Sequence, residues 1–195
     1  MKTTENIVKF YEASPGVHTL KELETIGAYA NLVRDLVAHG ILEEVARGLY
    51  RLSTQEEPEH IHFEAIAVAI PQAVFCLLSA LTFHEIGTQR PFEYHIAIPK
   101  GKRAPQRQDF TIQSYQLSTS SYQAGIEKHG RIKVYSVAKT VADCFKFRNQ
   151  LGLDVALESL KDVLRNKRAS VADLLEMAEV CRVKKVIMPY LESLV

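Results

Sequence analysis

Arginines and lysines held at turns are the residues of this chain best placed to do chemistry, and contact with phosphate oxygens is the chemistry that suits them. Two stretches carry them. In GILEEVARGLYRLS, residues 40–53, Arg47 stands between Ala46 and Gly48, with a strand-like run on each side and Arg51 in the second run. Gly48 supplies the positive φ that a tight hairpin needs. In PKGKRAPQR, residues 99–107, Lys100, Lys102, Arg103 and Arg107 occur with no acid among them. This second stretch reads as a hairpin tip, either simply solvated or in contact with DNA backbone or a partner.

Bond-making chemistry finds little support. The sequence has no GxGxxG or GxxxxGK[ST] phosphate loop and no GxSxG elbow. Glu93 lies in a strand-like run and Asp109 lies beyond the basic stretch, without the close lysine of a nuclease cluster. His60 and His62 form an HxH pair with no third ligand spaced nearby, which reads as surface histidines rather than a metal site. His84 and Glu85 end an apolar helix, where a histidine favours the dipole. The reading is a protein that is not an enzyme and needs no cofactor or metal.

The elements around Arg47 give it a position. Ile7, Val8, Phe10 and Tyr11 recur at helical spacing within residues 4–13. Ser14-Pro15-Gly16 ends that helix, and Thr19-x-x-Glu22 has the capping-box form of a second. A third runs from about Ala28 to His39, closed by Gly40. Val33, Leu36 and Val37 form its inner face, leaving Tyr29, Asn31, Arg34, Asp35 and Ala38 outside. Leu42–Val45 and Leu49–Leu52 then pair around Ala46-Arg47-Gly48. Three helices and a hairpin make a winged helix-turn-helix. Its third helix would present Tyr29, Asn31 and Arg34 to base edges in the major groove, and Arg47 and Arg51 would meet the backbone. Lys2 would join Arg34, Arg47 and Arg51 on one face.

The charge balance argues against that reading. Residues 1–53 contain six Lys/Arg (2, 9, 21, 34, 47, 51) and seven Asp/Glu (5, 12, 22, 24, 35, 43, 44). DNA affinity comes largely from neutralising phosphates, and similar three-helix modules also serve as protein-interaction domains. The whole chain is balanced too, with 24 basic and 23 acidic residues among 195, which excludes a strongly basic nucleic-acid coat. A hydrophobic fraction of 47% supports a real core. No apolar run approaches the roughly 18–20 residues of a membrane span. Cys76, Cys144 and Cys181 are an odd number and lie far apart in apolar contexts. They read as reduced, buried thiols of a cytoplasmic protein.

Residues 54–60, polar and acidic, read as a linker between a domain of residues 1–53 and a second of residues 61–195. In the second, residues 62–70 are expected to be helical, and Pro71 should open a long helix to Gly87. Strands are expected over 93–99, 110–116 and 132–135, with a turn or short helix over 118–125. Ser136 caps a helix whose inner residues are Val137, Val141, Cys144 and Phe145. Helices over 154–165, 170–180 and 184–194 follow. The expected class is α+β: an N-terminal winged helix-turn-helix, then a mixed α/β domain with a helical C-terminal array.

Four pieces occur in an order that resembles the AbiEi-type antitoxins of type IV, abortive-infection toxin–antitoxin systems. They are Ala46-Arg47-Gly48-Leu49-Tyr50-Arg51, LLSALTFHEIG (77–87), YHIAIPKGKR (94–103) and IKVYSVAKTVADCFKFRNQLG (132–152). The resemblance implies a winged-helix repressor that binds operator DNA upstream of its own operon, joined to a C-terminal domain needed for antitoxicity. It implies a nucleotidyltransferase-type toxin as functional partner, with or without a stable complex, and it carries over Tyr29, Asn31, Arg34 and Arg47 as DNA contacts. The alternative is a protein-interaction antidote or adaptor whose winged module does not bind DNA.

Overall fold

The computed structural model describes residues 2–89 and 91–194, with the side chains of Lys2 and Thr3 outside the description. The chain divides into two units, residues 1–71 and 72–195, both mixtures of helix and sheet. The division falls after the helix that follows the polar linker, whereas the sequence pattern places it at residues 54–60.

In the first unit, α1 (Lys2–Ala13) buries Ile7 and Tyr11, one helical turn apart. The Tyr11 hydroxyl donates to the carbonyl of Tyr50 at 2.9 Å. A two-residue strand, β1 (His18–Thr19), leads into α2 (Leu20–Glu24). The expected capping box is present: the Glu22 amide donates to Thr19 Oγ1 at 3.1 Å, and the Thr19 amide donates to Glu22 Oε2 at 2.8 Å. Helix α3 (Ala30–Ala38) buries Val33 and Leu36. Strands β2 (Leu42–Ala46) and β3 (Leu49–Leu52) form the expected hairpin. Their register shifts between Glu44 and Ala46, leaving Val45 as the extra residue of a bulge. Strand β1, which the sequence pattern does not reveal, pairs His18 with Tyr50 and makes the sheet three-stranded, in the order β1-β3-β2. Helix α4 (Ile61–Ala69) completes this unit, packed on β1 and β2. Its Glu64 accepts the Val17 amide at 3.1 Å.

The second unit is built on a mixed sheet in the order β6-β5-β4-β8-β7. Here the long helix expected from Pro71 is replaced. Val74–Phe75 form β4, the middle strand, and α5 covers only Leu77–Phe83. Ala73, Val74, Phe75 and Cys76 are all buried, so both faces of β4 are covered and the run is apolar throughout. A short apolar run of this kind fits a buried strand as well as a helix. Strands β5 (Tyr94–Pro99) and β6 (Ile112–Leu117) follow, then α6 (Thr119–Gln123) and the hairpin of β7 (Ile126–His129) and β8 (Ile132–Tyr135). Helix α7 (Val137–Lys146), capped by Ser136, is packed by α5, α9 (Leu153–Arg165), α10 (Val171–Val180) and α11 (Lys184–Leu194), with α8 (Arg148–Leu151) between α7 and α9. The array expected after residue 153 is therefore present, and α10 starts with a Ser170–Asp173 capping box. No helix among the described residues is long and apolar enough to cross a membrane.

Candidate nucleic-acid interface

The exposed face of α3 is the one its spacing predicts. With Val33 and Leu36 inward, Asn31, Arg34, Asp35 and Ala38 point to solvent. Tyr29 sits at the N-cap in extended geometry and is 62% exposed, unusual for a large aromatic. A tyrosine offers a flat apolar face and a hydroxyl, so at this place it can contact both a sugar and a phosphate or base edge. Arg34 lies near Tyr50 on the hairpin. Burial, then the carboxylate of Glu44, push the Tyr50 hydroxyl pKa upward, while the Arg34 charge pulls it down.

At the hairpin tip Gly48 has φ +74°, and its amide donates to Glu44 Oε1 at 2.8 Å. A Cβ at Gly48 would meet open space, so the backbone angle alone calls for glycine there. Arg47, beside it, is exposed. Arg51 is not. It is 8% exposed; its Nε and Nη2 hold Glu43 Oε2 at 2.8 and 2.7 Å, and its Nη1 donates to the Gln55 carbonyl at 3.1 Å. The guanidinium ties β3 to β2 and to the following turn, so Arg51 leaves the set of phosphate contacts. Whether Lys2 joins Arg34 and Arg47 on one face lies outside the described residues.

The basic stretch of the second unit also differs from expectation. It is not a hairpin tip, because β5 and β6 run parallel, with Tyr94 opposite Ile112 and Pro99 opposite Leu117. Residues 100–111 must carry the chain back along the full strand length, as any parallel connection does. Lys100, Lys102 and Arg103 are exposed on this crossover. Arg107 is half-buried, held by both carboxylate oxygens of Asp109 and lying 6.0 Å from the Phe110 ring centre. It anchors the crossover rather than offering its charge outward.

Polar groups that the sequence pattern does not single out are buried in the second unit. Lys139 and Asp143, one turn apart on α7, are ion-paired with essentially no exposure. The Lys139 ammonium lies 4.0 Å from the Tyr135 ring centre, and Cys181 donates to Asp143 Oδ1 at 3.2 Å. The i,i+4 spacing is visible in the sequence, but on an amphipathic helix it reads as a solvated pair. All three cysteines are buried free thiols. Burial raises their pKa values, that of Cys181 to about 12 with help from Asp143, so they stay protonated. His84 Nε2 donates to the Tyr135 carbonyl at 2.7 Å, and burial lowers its pKa despite that bond. The ring is therefore a neutral buried donor, not a cation at a helix end. His60 stands at the N-cap position of α4 with no side-chain capping bond, its ring 5.5 Å from that of Phe63.

These observations define an α+β chain of two units: a small helical unit with a three-stranded antiparallel sheet, and a helix-wrapped mixed sheet. Among solved structures, the crystal structure of the RV2827C protein from Mycobacterium tuberculosis is similar in fold. Its TM-score is 0.62 at 12% identity, over 97% of this chain and 77% of that one. At that identity the likeness is one of fold. No family model matches the sequence, and no curated protein does.

Proposed function

We propose that the protein is a DNA-binding autorepressor and antitoxin of a bacterial toxin–antitoxin operon, acting against a nucleotidyltransferase-type toxin. In this reading the first unit works as a winged helix-turn-helix, α3 is the recognition helix and the β2–β3 hairpin is the wing. The observation that carries it is the exposure of Tyr29, Asn31 and Arg34 on α3 together with Arg47 at the tip of the hairpin that follows. A helix face that reads bases and a tip cation that touches backbone are the two contacts such a module needs. The ordered resemblance to AbiEi-type antitoxins supplies the operon and the toxin. The second unit then carries antitoxicity, with Lys100, Lys102 and Arg103 available to backbone or partner. The carboxylates of Asp35 and Glu44 beside this face favour the second reading, a protein-interaction antidote. A gel shift on the DNA upstream of its own gene, with unrelated DNA of equal length as control, separates the two. A shift confined to the upstream fragment supports the repressor, and no shift on either leaves the antidote.

A further inference from the structure

The crossover between β5 and β6 does more than return the chain: it forms one wall of a cleft. Residues Arg103 to Gln108 line, together with one face of the edge strand β6, an open cleft of about 440 Å³. The floor is Ile112, Ser114 and Gln116, alternate residues that point to the same side of the strand. Ile98 of β5 and Phe110 close its sides. Small-molecule clefts commonly span roughly 300–1,000 Å³.

The cations of this crossover differ from Arg51 and Arg107 in how they are compensated. Arg51 and Arg107 are spent on internal carboxylates. Lys100, Lys102 and Arg103 lie within four residues, are exposed, and have no carboxylate partner among the described residues. Arg103 lines the cleft, and the two lysines adjoin it along the chain. One uncompensated cation in the lining, with two more one and three residues before it in the chain, suits a ligand with several negative charges. The rest of the lining has different chemistry. Gln106, Gln108, Gln116 and Ser114 present acceptors as well as donors, and an anion uses only donors. Gln116 Oε1 already accepts the Gly101 amide at 3.1 Å, which pins the start of the crossover and leaves its NH₂ to donate. The Arg107 guanidinium also lines the cleft, with its charge balanced by Asp109.

We infer that this cleft binds a nucleoside polyphosphate, with the phosphate chain on Lys100, Lys102 and Arg103 and the base over Gln106, Ser114 and Gln116. This binding is separate from the α3 and hairpin face and does not depend on operator recognition.

Titration calorimetry of the full chain tests it, with ATP and GTP as probes. Adenosine, inorganic triphosphate and a twelve-residue oligothymidylate are the comparison ligands. Expected is one site per chain for a nucleotide, with adenosine and triphosphate each at least about tenfold weaker, because each keeps half of the contacts. Arg103→Ala should weaken the nucleotide at least about tenfold, the scale of one charge-assisted contact. Ser114→Phe, which fills the floor from an exposed strand position, should abolish binding. Arg103 is exposed, so its variant should melt with the wild type and tests the site even if Ser114→Phe does not fold. No heat with either nucleotide at millimolar concentration overturns the inference. So does triphosphate binding as tightly as ATP, which would mark a general anion patch. Oligothymidylate binding that ATP does not displace would also overturn it, since the surface would then track nucleic acid.

Discussion

Replacing Arg47 tests the DNA reading at its most exposed point. On the α3 and hairpin face, the arginines exposed to solvent are Arg34 and Arg47, while Arg51 is held against Glu43. If Arg47 meets one phosphate, its loss lowers the slope of log K against log salt by about 0.9. The same term makes the loss depend on salt: about eightfold in affinity at 0.1 M and about fourfold at 0.2 M. The loss should be equal on operator and random DNA, because a phosphate contact carries no base information. Arg34→Ala should differ if Arg34 reads a base edge, costing about 1–3 kcal/mol and relaxing discrimination at one position. Asp35→Ala removes a like charge and should tighten nonspecific binding. Arg51→Ala is the internal control, since it should lower the melting temperature and leave the slope of the folded protein unchanged. Fluorescence anisotropy over a salt series, on both DNAs, reads all four variants. An Arg47→Ala protein with unchanged affinity and unchanged slope would falsify the wing assignment.

The buried pair of the second unit should behave asymmetrically. Lys139→Ala leaves Asp143 charged and buried and should cost about 3–5 kcal/mol, whereas Lys139→Met with Asp143→Leu should fall near or above wild type; chemical denaturation of the three proteins checks this. A fragment of residues 1–71 should melt cooperatively, while one of residues 1–53 lacks α4 and its Glu64 contact to Val17 and should melt lower or without a transition; circular dichroism distinguishes the two outcomes. His84 has a folded pKa below the ordinary 6.5, so between those values the unfolded chain binds more protons and stability falls as pH drops below about 6.5. In His84→Gln that part of the fall should vanish, measured as the urea midpoint from pH 8 to pH 5; an identical pH slope in both proteins would refute it.

What can be read from the sequence is local. The capping boxes at Thr19–Glu22 and Ser170–Asp173 and the N-cap at Ser136 each involve residues three apart, and each is formed. The inner face of α3 follows from its period. What cannot be read depends on partners distant in the chain. Strand β1 has two residues and exists because β3 lies beside it. Strand β4 is likewise two residues, set by β5 and β8. Strand β7, Ile126–His129, is mostly exposed and has no apolar alternation to reveal it. The direction of β6 is a further case: the basic stretch looks like a tip only if the strands it joins are antiparallel. The depth of Lys139 and Asp143 comes from the number of helices around α7, which no period of α7 itself records.

Arg51 is the case where the pattern held the answer. Alternate residues of a strand share a face, and Leu49, two positions before Arg51, is buried. Arg51 had to face the same way, and a buried arginine needs a carboxylate, which Glu43 across the hairpin provides. This pairing also changes the charge argument for the first unit. A formal count of six cations against seven anions treats every group as equally available. Glu43 is compensated by Arg51, and Glu22 is turned to the start of α2 by its capping bonds. Glu44 keeps its charge but is turned toward the Gly48 amide. The field over α3 and the tip is then set mainly by Arg34 and Arg47 against Asp35 and Glu44. Removing one carboxylate should move affinity as far as removing one arginine moves it the other way. A nearly neutral module of this kind would owe little of its binding to counterion release, so its selectivity would rest on the contacts of Tyr29, Asn31 and Arg34.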